Sequence, residues 1–535
     1  MSTAYSVFID FDRDGVFDSG EECTDLTVSS DTKITCKVPA ITDNSKEGTY
    51  PVVIDTQSSS NATANTGFSY YAKSVCENGN SNSDCQVDID DNMIPIKYDG
   101  NTTAPKWVKA DVGAQGDWYD YDNKKWANAV TVASNKVDTY KNAAAGTEIP
   151  EDDVLGYWVY IPRYAYEVMR PSAVDRVVPD QNFNIKFETA DSTKYTKKSP
   201  KETCSSVSAS NSGSYDSITN EAIDYRIKCN ISRDYNKLDN TNANNTTWAT
   251  HPAFTWGDTE LNGIWVAKYE TTGTQASPTV KPSVSSLRNM KIGDQYDTAI
   301  RMGVTDTTGN QYGNQGTATT QNYHNLSTTK SHMMKNSEWG AAVYLSASTY
   351  GAGVNKVQLN SFEEYNTGCG PQSDGDTSGG STCNEYYTTL GQLASTTNNT
   401  YGLYDMAGGA WEYMMGGYSS NTDSSKTNGY VKNAVKVPYT DIYNSDIFTG
   451  TNLSNSSYCT WATCGGHALH EVKTAQTIDE SNQSWGLDNP GFVDSTWLWF
   501  KRGDVYSHTT ESGVFSSFYL DGLGLSDYSF RIILL

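Results

Sequence analysis

The chain has 535 residues, 63 of them acidic and 39 basic, for a formal charge of −24, and that excess of anions argues against nucleic acid or an anionic membrane as partner. The length leaves room for three or four domains, or two if one fold is rich in insertions. No run of 18 apolar residues occurs, so no membrane-spanning helix is expected, and Met1-Ser2-Thr3 opens no signal peptide.

Charged residues make up only 19 % of the chain, while Tyr, Asn, Ser, Thr and Gly dominate. That profile fits a secreted or surface protein better than a cytosolic enzyme, and an export signal is expected to have been removed. The ten cysteines fall into five close pairs: Cys23 and Cys36, Cys76 and Cys85, Cys204 and Cys229, Cys369 and Cys383, Cys459 and Cys464. Such pairs predict local disulfides, each worth about 2–4 kcal/mol, and a location outside the cytoplasm.

From Tyr5 to Tyr71 the chain reads as short strands with turns, in YSVFIDF, CTDLTV, KITCKV and TYPVVID. The Cys-Thr-Asp-Leu strand followed by Ile34-Thr35-Cys36-Lys37-Val38-Pro39 resembles the immunoglobulin-like, plexin and transcription-factor-shared type of Ig-like domain. The usual first strand has no counterpart, and truncation of this domain is expected. Within it, Asp10, Asp12, Asp14, Asp18 and Glu21 occupy positions 1, 3, 5, 9 and 12 of a loop with Gly15 at position 6. A hard cation needs about six or seven oxygens and a sharp turn to gather them, and Val16 adds its carbonyl. No helical pattern precedes the loop, so calcium is expected in a β context.

Residues 76–91 are rich in Asn, Ser and Asp and read as a linker. Strand patterns resume in MIPIKY, KWVKAD, DWYDYDNKKWANAVTV and GYWVYIPRYAYEV. The polar stretch from Asn182 to Asn245 reads as an insertion. GIWVAKYETT (263–272) predicts a strand, KNSEWGAAVYLS (335–346) a helix capped at Asn336, and residues 395–417 a turn-rich strand segment.

The last segment, residues 497–535, mixes two kinds of position. Trp497, Trp499, Arg502-Gly503, Gly513-Val514-Phe515, Gly522, Gly524 and Phe530-Arg531-Ile532-Ile533-Leu534 form a framework of strands and turns. Between them Tyr506, Ser507, His508, Thr509, Thr510, Ser516, Ser517, Phe518, Tyr519, Leu520, Leu523, Leu525, Ser526, Asp527 and Tyr528 follow neither helical nor alternating periodicity. Aromatics among small polar residues have the composition of a recognition surface. The segment resembles the variable region of proteins mutagenised by diversity-generating retroelements. There, randomised adenines in AAC-type codons cannot yield Lys, Gln, Glu, Met or Trp, and none of those fifteen residues is one of the five.

The succession from Gly263 onward, with Gly402-Leu403-Tyr404-Asp405-Met406 and Trp411-Glu412-Tyr413 as its most specific part, resembles the sulfatase-modifying-factor family, which includes the formylglycine-generating enzyme. The resemblance implies an α+β C-type lectin fold, which variable proteins of the retroelements share. Gly409 replaces the family's usual Asn and speaks against its calcium site here. Catalytic members carry two cysteines just after the arginine-glycine motif, and Asp504–Ser512 contains none, so no enzyme activity is expected. Cys459, Cys464, His467 and His470 could alternatively hold zinc, but their spacing matches no standard finger. Arg502-Gly503-Asp504 is read as framework rather than an integrin motif, and the sequons at Asn101, Asn230, Asn325 and Asn452 as chance.

The sequence therefore predicts an Ig-like calcium-binding domain (1–75), a linker (76–91) and a C-type-lectin-fold domain (92–535) whose variable region recognises a protein or glycan on another cell or particle. The alternatives are a sulfatase-modifying-factor-like enzyme of altered chemistry and a structural component of a pilus or phage particle.

Overall fold

The computed structural model describes residues 6–9, 22–30, 33–37, 48–55, 62–70, 87–101, 105–114, 116–167, 183–190, 248–257, 259–304, 321–353, 357–372, 382–418, 439–443, 465–469, 488, 491–493, 497–508 and 512–535. The chain divides into two compact units, Met1–Ser74 and Val75–Leu535. In the first, the runs rich in Val, Ile, Thr and aromatics become strands, as their fit to a pleated surface requires. These are β1 (Ser6–Ile9), β2 (Thr24–Ser30), β3 (Lys33–Lys37), β4 (Gly48–Asp55) and β5 (Ala62–Tyr70). β4 is the centre of an antiparallel sheet between β1 and β5, with Val7 and Ile9 buried, and β2 pairs with β3. The calcium candidates Asp10, Asp12, Asp14, Val16, Asp18 and Glu21 lie outside the described residues, as do Cys76, Cys85, Cys204, Cys229, Cys459 and Cys464.

The second unit is β-rich, with few helices. Its first strands are β6 (Met93–Tyr98), β7 (Trp107–Lys109), β8 (Asn128–Val132), β9 (Val154–Pro162), β10 (Tyr164–Glu167), β11 (Ile185–Phe187) and β12 (Trp248–Thr250). Two short hairpins, β13 (Thr255–Trp256) with β14 (Thr259–Glu260) and β16 (Thr272–Thr274) with β17 (Ser277–Thr279), flank β15 (Gly263–Ala267). Then come β18 (Ser331–Met333), β19 (Trp411–Tyr418), β20 (Asp441–Tyr443), β21 (Trp499–Arg502), β22 (Ser517–Leu520), β23 (Tyr528–Phe530) and β24 (Ile532–Leu534).

Two sheets dominate this unit. The larger runs β18-β24-β15-β9-β8-β6-β7, so the C-terminal strand β24 lies between two strands from the middle of the chain. The smaller is built on β19, whose opposite edge pairs antiparallel with β21 and, through it, with β22. The other edge of β19 takes β23 along its first half and β20 along its second, both parallel. β9 and β19 are buried almost throughout, because both faces of each are covered. Helix Asn336–Ser346 is buried along its whole length. It sits among aromatics of several strands: the Tyr164 hydroxyl donates to Ala341 O (2.7 Å), Tyr344 stacks on Phe183 (4.5 Å), and Trp339 Nε1 donates to Val514 O (2.8 Å).

The FRIIL tail is two strands in two sheets, separated at Arg531, because that guanidinium turns inward to a buried carboxylate. Two expectations are corrected here. The supposed insertion gives up its first residues to the core, since Phe183, Ile185 and Phe187 are buried and β11 pairs with β10. Helix Asn336–Ser346 is not capped by Asn336. That side chain donates to the Tyr443 hydroxyl (3.0 Å), while the Glu338 carboxylate receives Lys335 N (2.8 Å). The Cys369–Cys383 disulfide is formed. Among the described residues no helix is long and apolar enough to cross a membrane.

Arg531 is fully buried. Its Nε and Nη2 donate to Glu412 (2.9 and 2.6 Å), Nη1 to Ala267 O (2.7 Å) and Nη2 to Tyr404 O (2.8 Å). One guanidinium thereby joins β15, β19 and the turn before β19. Asp405 and Glu270 are buried beside it. Asp405 accepts from Asn360 Nδ2 (2.8 Å) and Gly368 N (3.0 Å), and Glu270 Oε1 from Ala410 N (2.8 Å). Burial outweighs the guanidinium and holds Glu412 up at about 6, and it raises Glu270 and Asp405 as well.

All 13 tryptophans lie at or beyond Trp107, so their fluorescence reports on the second unit alone. Arg531→Met leaves Glu412 buried without its partner and should cost about 3–5 kcal/mol in a denaturant titration read this way. A carboxyl raised on folding binds its proton more tightly in the native state. Its stabilisation is thus complete below the unfolded value near 4.5 and is lost as pH rises through the folded value. Stability should accordingly fall between pH 4.5 and about 6, and Glu270→Gln, which keeps the neutral shape, should flatten that slope. A slope of the opposite sign would refute the charge assignment.

Candidate ligand-binding surface

Strand alternation sorts the side chains of β21. Phe500 and Arg502 turn toward Tyr443 (5.0 Å between rings) and Trp339 (5.6 Å), while Lys501 points to the opposite face. There the register places Lys501 opposite Phe518 of β22 and Tyr413 of β19, and Trp411 opposite Tyr528 of β23. The Lys501 ammonium is boxed by the rings of Trp411 (4.1 Å), Tyr528 (4.6 Å) and Phe518 (5.3 Å) and donates to the Tyr528 hydroxyl (3.1 Å). Burial lowers this ammonium to about 8. Outward from the box, Phe518 stacks on Tyr519 (4.5 Å) and Tyr519 meets the exposed Trp497 (6.3 Å).

The turn from Asp521 to Asp527 is held almost entirely through its main chain. Gly522 O receives Ile292 N (3.1 Å), Leu523 O the Tyr413 hydroxyl (3.0 Å), Leu525 O Asn289 N (3.1 Å), Ser526 O the Arg288 guanidinium, and Asp527 O Trp411 N (2.8 Å). Five carbonyls from consecutive parts of one turn thus bond to framework groups. Tyr506 is likewise fixed by its own N–H on Gly409 O (3.0 Å) and His508 by its N–H on Val505 O (3.0 Å), while Phe518, Tyr519 and Leu520 are fixed by the β21–β22 ladder. None of these bonds uses a side chain of the fifteen candidate positions, although the framework donors include the Tyr413 hydroxyl and the Arg288 guanidinium.

Of the fifteen residues expected at the surface, Ser507, His508, Leu525 and Ser526 are exposed, and Tyr506, Phe518, Tyr519, Leu520, Leu523 and Asp527 are half-buried. Thr509 and Thr510 lie outside the described residues. Ser516, Ser517 and Tyr528 are buried. Tyr528 differs from the surface residue expected, because its ring is a wall of the Lys501 box and packs on Tyr413 (5.3 Å). His508 Nδ1 is held by the buried Asp504 carboxylate (2.8 Å). Arg502 and Asp504 are both fully buried, so the Arg-Gly-Asp triplet presents no integrin motif.

Gly409 has φ +69°, and a Cβ there would stand 2.5 Å from Glu270 Oε1, so the position favours glycine. His467 donates to or accepts from the Tyr443 hydroxyl through Nδ1 (2.8 Å), while Cys459, Cys464 and His470 lie outside the described residues. Among the described residues no group of His, Cys, Asp and Glu is arranged to hold a metal ion. Arg288, Tyr365 and Lys501 belong to this region yet were not singled out from sequence, and Trp411 was singled out only as part of a framework motif. Trp411 and Lys501 were hidden in framework strands, and the only signal at Tyr365 was an aromatic beside Glu363-Glu364. Comparison with protein-family models finds no match, and comparison with curated proteins finds none either.

Replacing Tyr506 and Tyr519 together by Ser should leave the second unit folded, at a cost of about 1 kcal/mol or less for each half-exposed ring. Tyr528→Ser should cost about 3 kcal/mol by itself, since it empties a buried position and removes the partner of Lys501. Equal losses in tryptophan-monitored denaturation would show that no such division exists.

Proposed function

We propose that this chain is a secreted or surface-displayed ligand-binding protein, without enzymatic activity, whose diversified C-terminal segment recognises a protein or glycan partner from a C-type-lectin-type scaffold. The observation that carries this reading is the main-chain support of the Asp521–Asp527 turn and of Tyr506. A surface held by carbonyls and amides tolerates exchange of its side chains without loss of shape, which is what a diversified surface requires. The C-terminal strand lodged between β15 and β18, and a helix packed beside a second sheet, are in keeping with a C-type lectin fold. The first unit is assigned to the Ig-like type, with calcium in its Asp10–Glu21 loop. The Cys369–Cys383 disulfide supports an oxidising location.

The reading is tested without knowing the ligand. The DNA flanking this coding sequence should carry a reverse transcriptase and a near-repeat of the C-terminal codons. The two copies should differ chiefly at template adenines in the codons of the fifteen named residues. Absence of the repeat, or differences scattered over the framework codons, would remove the diversification. For calcium, calorimetry of the intact chain should show one transition, not reported by tryptophan fluorescence, that moves down on chelation, because a ion bound only to the folded state stabilises it. Asp12→Ala should abolish that shift, and a transition indifferent to chelation in the unaltered chain counts against the site.

A further inference from the structure

The surface does not end with the C-terminal segment. Tyr365 has a φ of +58°, uncommon for a bulky residue, and its half-buried ring meets Tyr506 edge-on at 5.1 Å. The Arg288 guanidinium lies over that ring at 4.1 Å, donates through Nη1 to Ser526 O and reaches Ser285 Oγ through Nη2 (3.2 Å). Arg288 thus joins Tyr365, from the middle of the chain, to the turn that carries Ser526 and Asp527. A strained aromatic held in place by a stacked arginine is consistent with a recognition role.

The charges around these rings have one prevailing sign. Glu363 and Glu364 are exposed beside Tyr365, and Asp521 and Asp527 are half-buried on the turn. Asp527 is near enough to help raise the Tyr365 hydroxyl, after burial, to about 12. On the basic side, Lys501 is buried in its aromatic box and Arg288 is engaged by Tyr365 and Ser526. Lys291 is the exposed cation of the segments 285–292, 363–366, 497–508 and 512–528. Ring faces and carboxylates both attract cations, and the charge of −24 reinforces the sign at longer range.

We infer that Glu363, Glu364 and Tyr365 form a fixed part of the ligand-binding surface, and that the surface fits a protein partner presenting lysine or arginine side chains to its aromatic rings. This rests on the ligand-binding reading above. Charge complementarity of this kind sets partner choice and association rate.

Random peptides displayed on phage, selected against the intact chain at 0.15 M salt (about the physiological value), provide the test. Enriched peptides should carry Lys or Arg beside apolar residues. Their affinity should drop about tenfold or more in the Glu363→Gln, Glu364→Gln, Asp527→Asn variant and on raising the salt, with unchanged tryptophan-monitored stability. Enrichment of neutral or acidic peptides, or basic peptides held equally by the neutralised variant, overturns the cationic partner. If the peptides are also indifferent to conversion of Tyr506 and Tyr519 to Ser, the ligand-binding surface itself is misplaced. Loss with the Ser variant alone leaves that surface standing and rejects only the charge assignment.

Discussion

The second unit depends on a single buried cation at the place where its two sheets meet. Arg531 stands between β23, which belongs to the smaller sheet, and β24, which belongs to the larger. Turned inward, it meets Glu412 of β19 and the carbonyls of Ala267 and Tyr404. A hydrophobic residue here could fill the same volume, but it would leave Glu412 and two carbonyls without donors in a region closed to water. The same device recurs where β9 passes into β10. There the buried Arg163 donates to Glu188 (2.9 Å), Glu260 (2.7 Å) and Phe254 O (3.2 Å). In both places a strand leaves one sheet for another, and a guanidinium with several in-plane donors ties the unpaired main chain on either side.

The neighbourhood of Arg531 is overcharged on the acid side, with three buried carboxyls to one guanidinium. Direct hydrogen bonds to Asp405 and Glu270 reduce the cost but do not remove it, and burial raises all three acids. A protein so built is better balanced when protons occupy part of the cluster. The buried Lys268 shows the other solution. It has no carboxylate partner among its hydrogen bonds, and its three N–H groups go to Asn128 Oδ1 (2.8 Å), Thr400 O (2.6 Å) and Gly402 O (3.0 Å), with Trp107 beneath (5.0 Å).

Much of this was legible in the sequence, and the reasons for the remainder are specific. Strands such as Met93–Tyr98, Asn128–Val132, Gly263–Ala267 and Trp499–Arg502 follow from apolar and β-branched runs bounded by turn residues. Helix Asn336–Ser346 follows from its length and helix-forming residues. Its burial on all sides does not, because burial depends on what packs against it. The change of sheet within FRIIL has a related cause: the sequence shows strands and turns there, but where the chain crosses depends on Glu412 beside Arg531. The surface was legible as a segment, through its lack of periodicity and its composition. Sequence could not reveal that Arg288 and Tyr365, far apart along the chain, close upon it.

The structure also divides the fifteen surface candidates by how they are held. Where support comes from the main chain, as at Tyr506, Tyr519, Leu523, Leu525 and Ser526, a change of side chain leaves the backbone bonds in place, whereas the Phe518 ring is also needed over Lys501. Tyr528 is held through its side chain, by Lys501 and by packing on Tyr413. A loss of about 3 kcal/mol there is a large part of the 5–15 kcal/mol that keeps a typical domain folded. Tolerance of substitution is therefore unequal along the segment, greatest in the turn and least where β23 enters the sheet. Lys501 sets that limit. While its ammonium needs a hydroxyl and three rings to stay buried, position 528 belongs as much to the scaffold as to the surface.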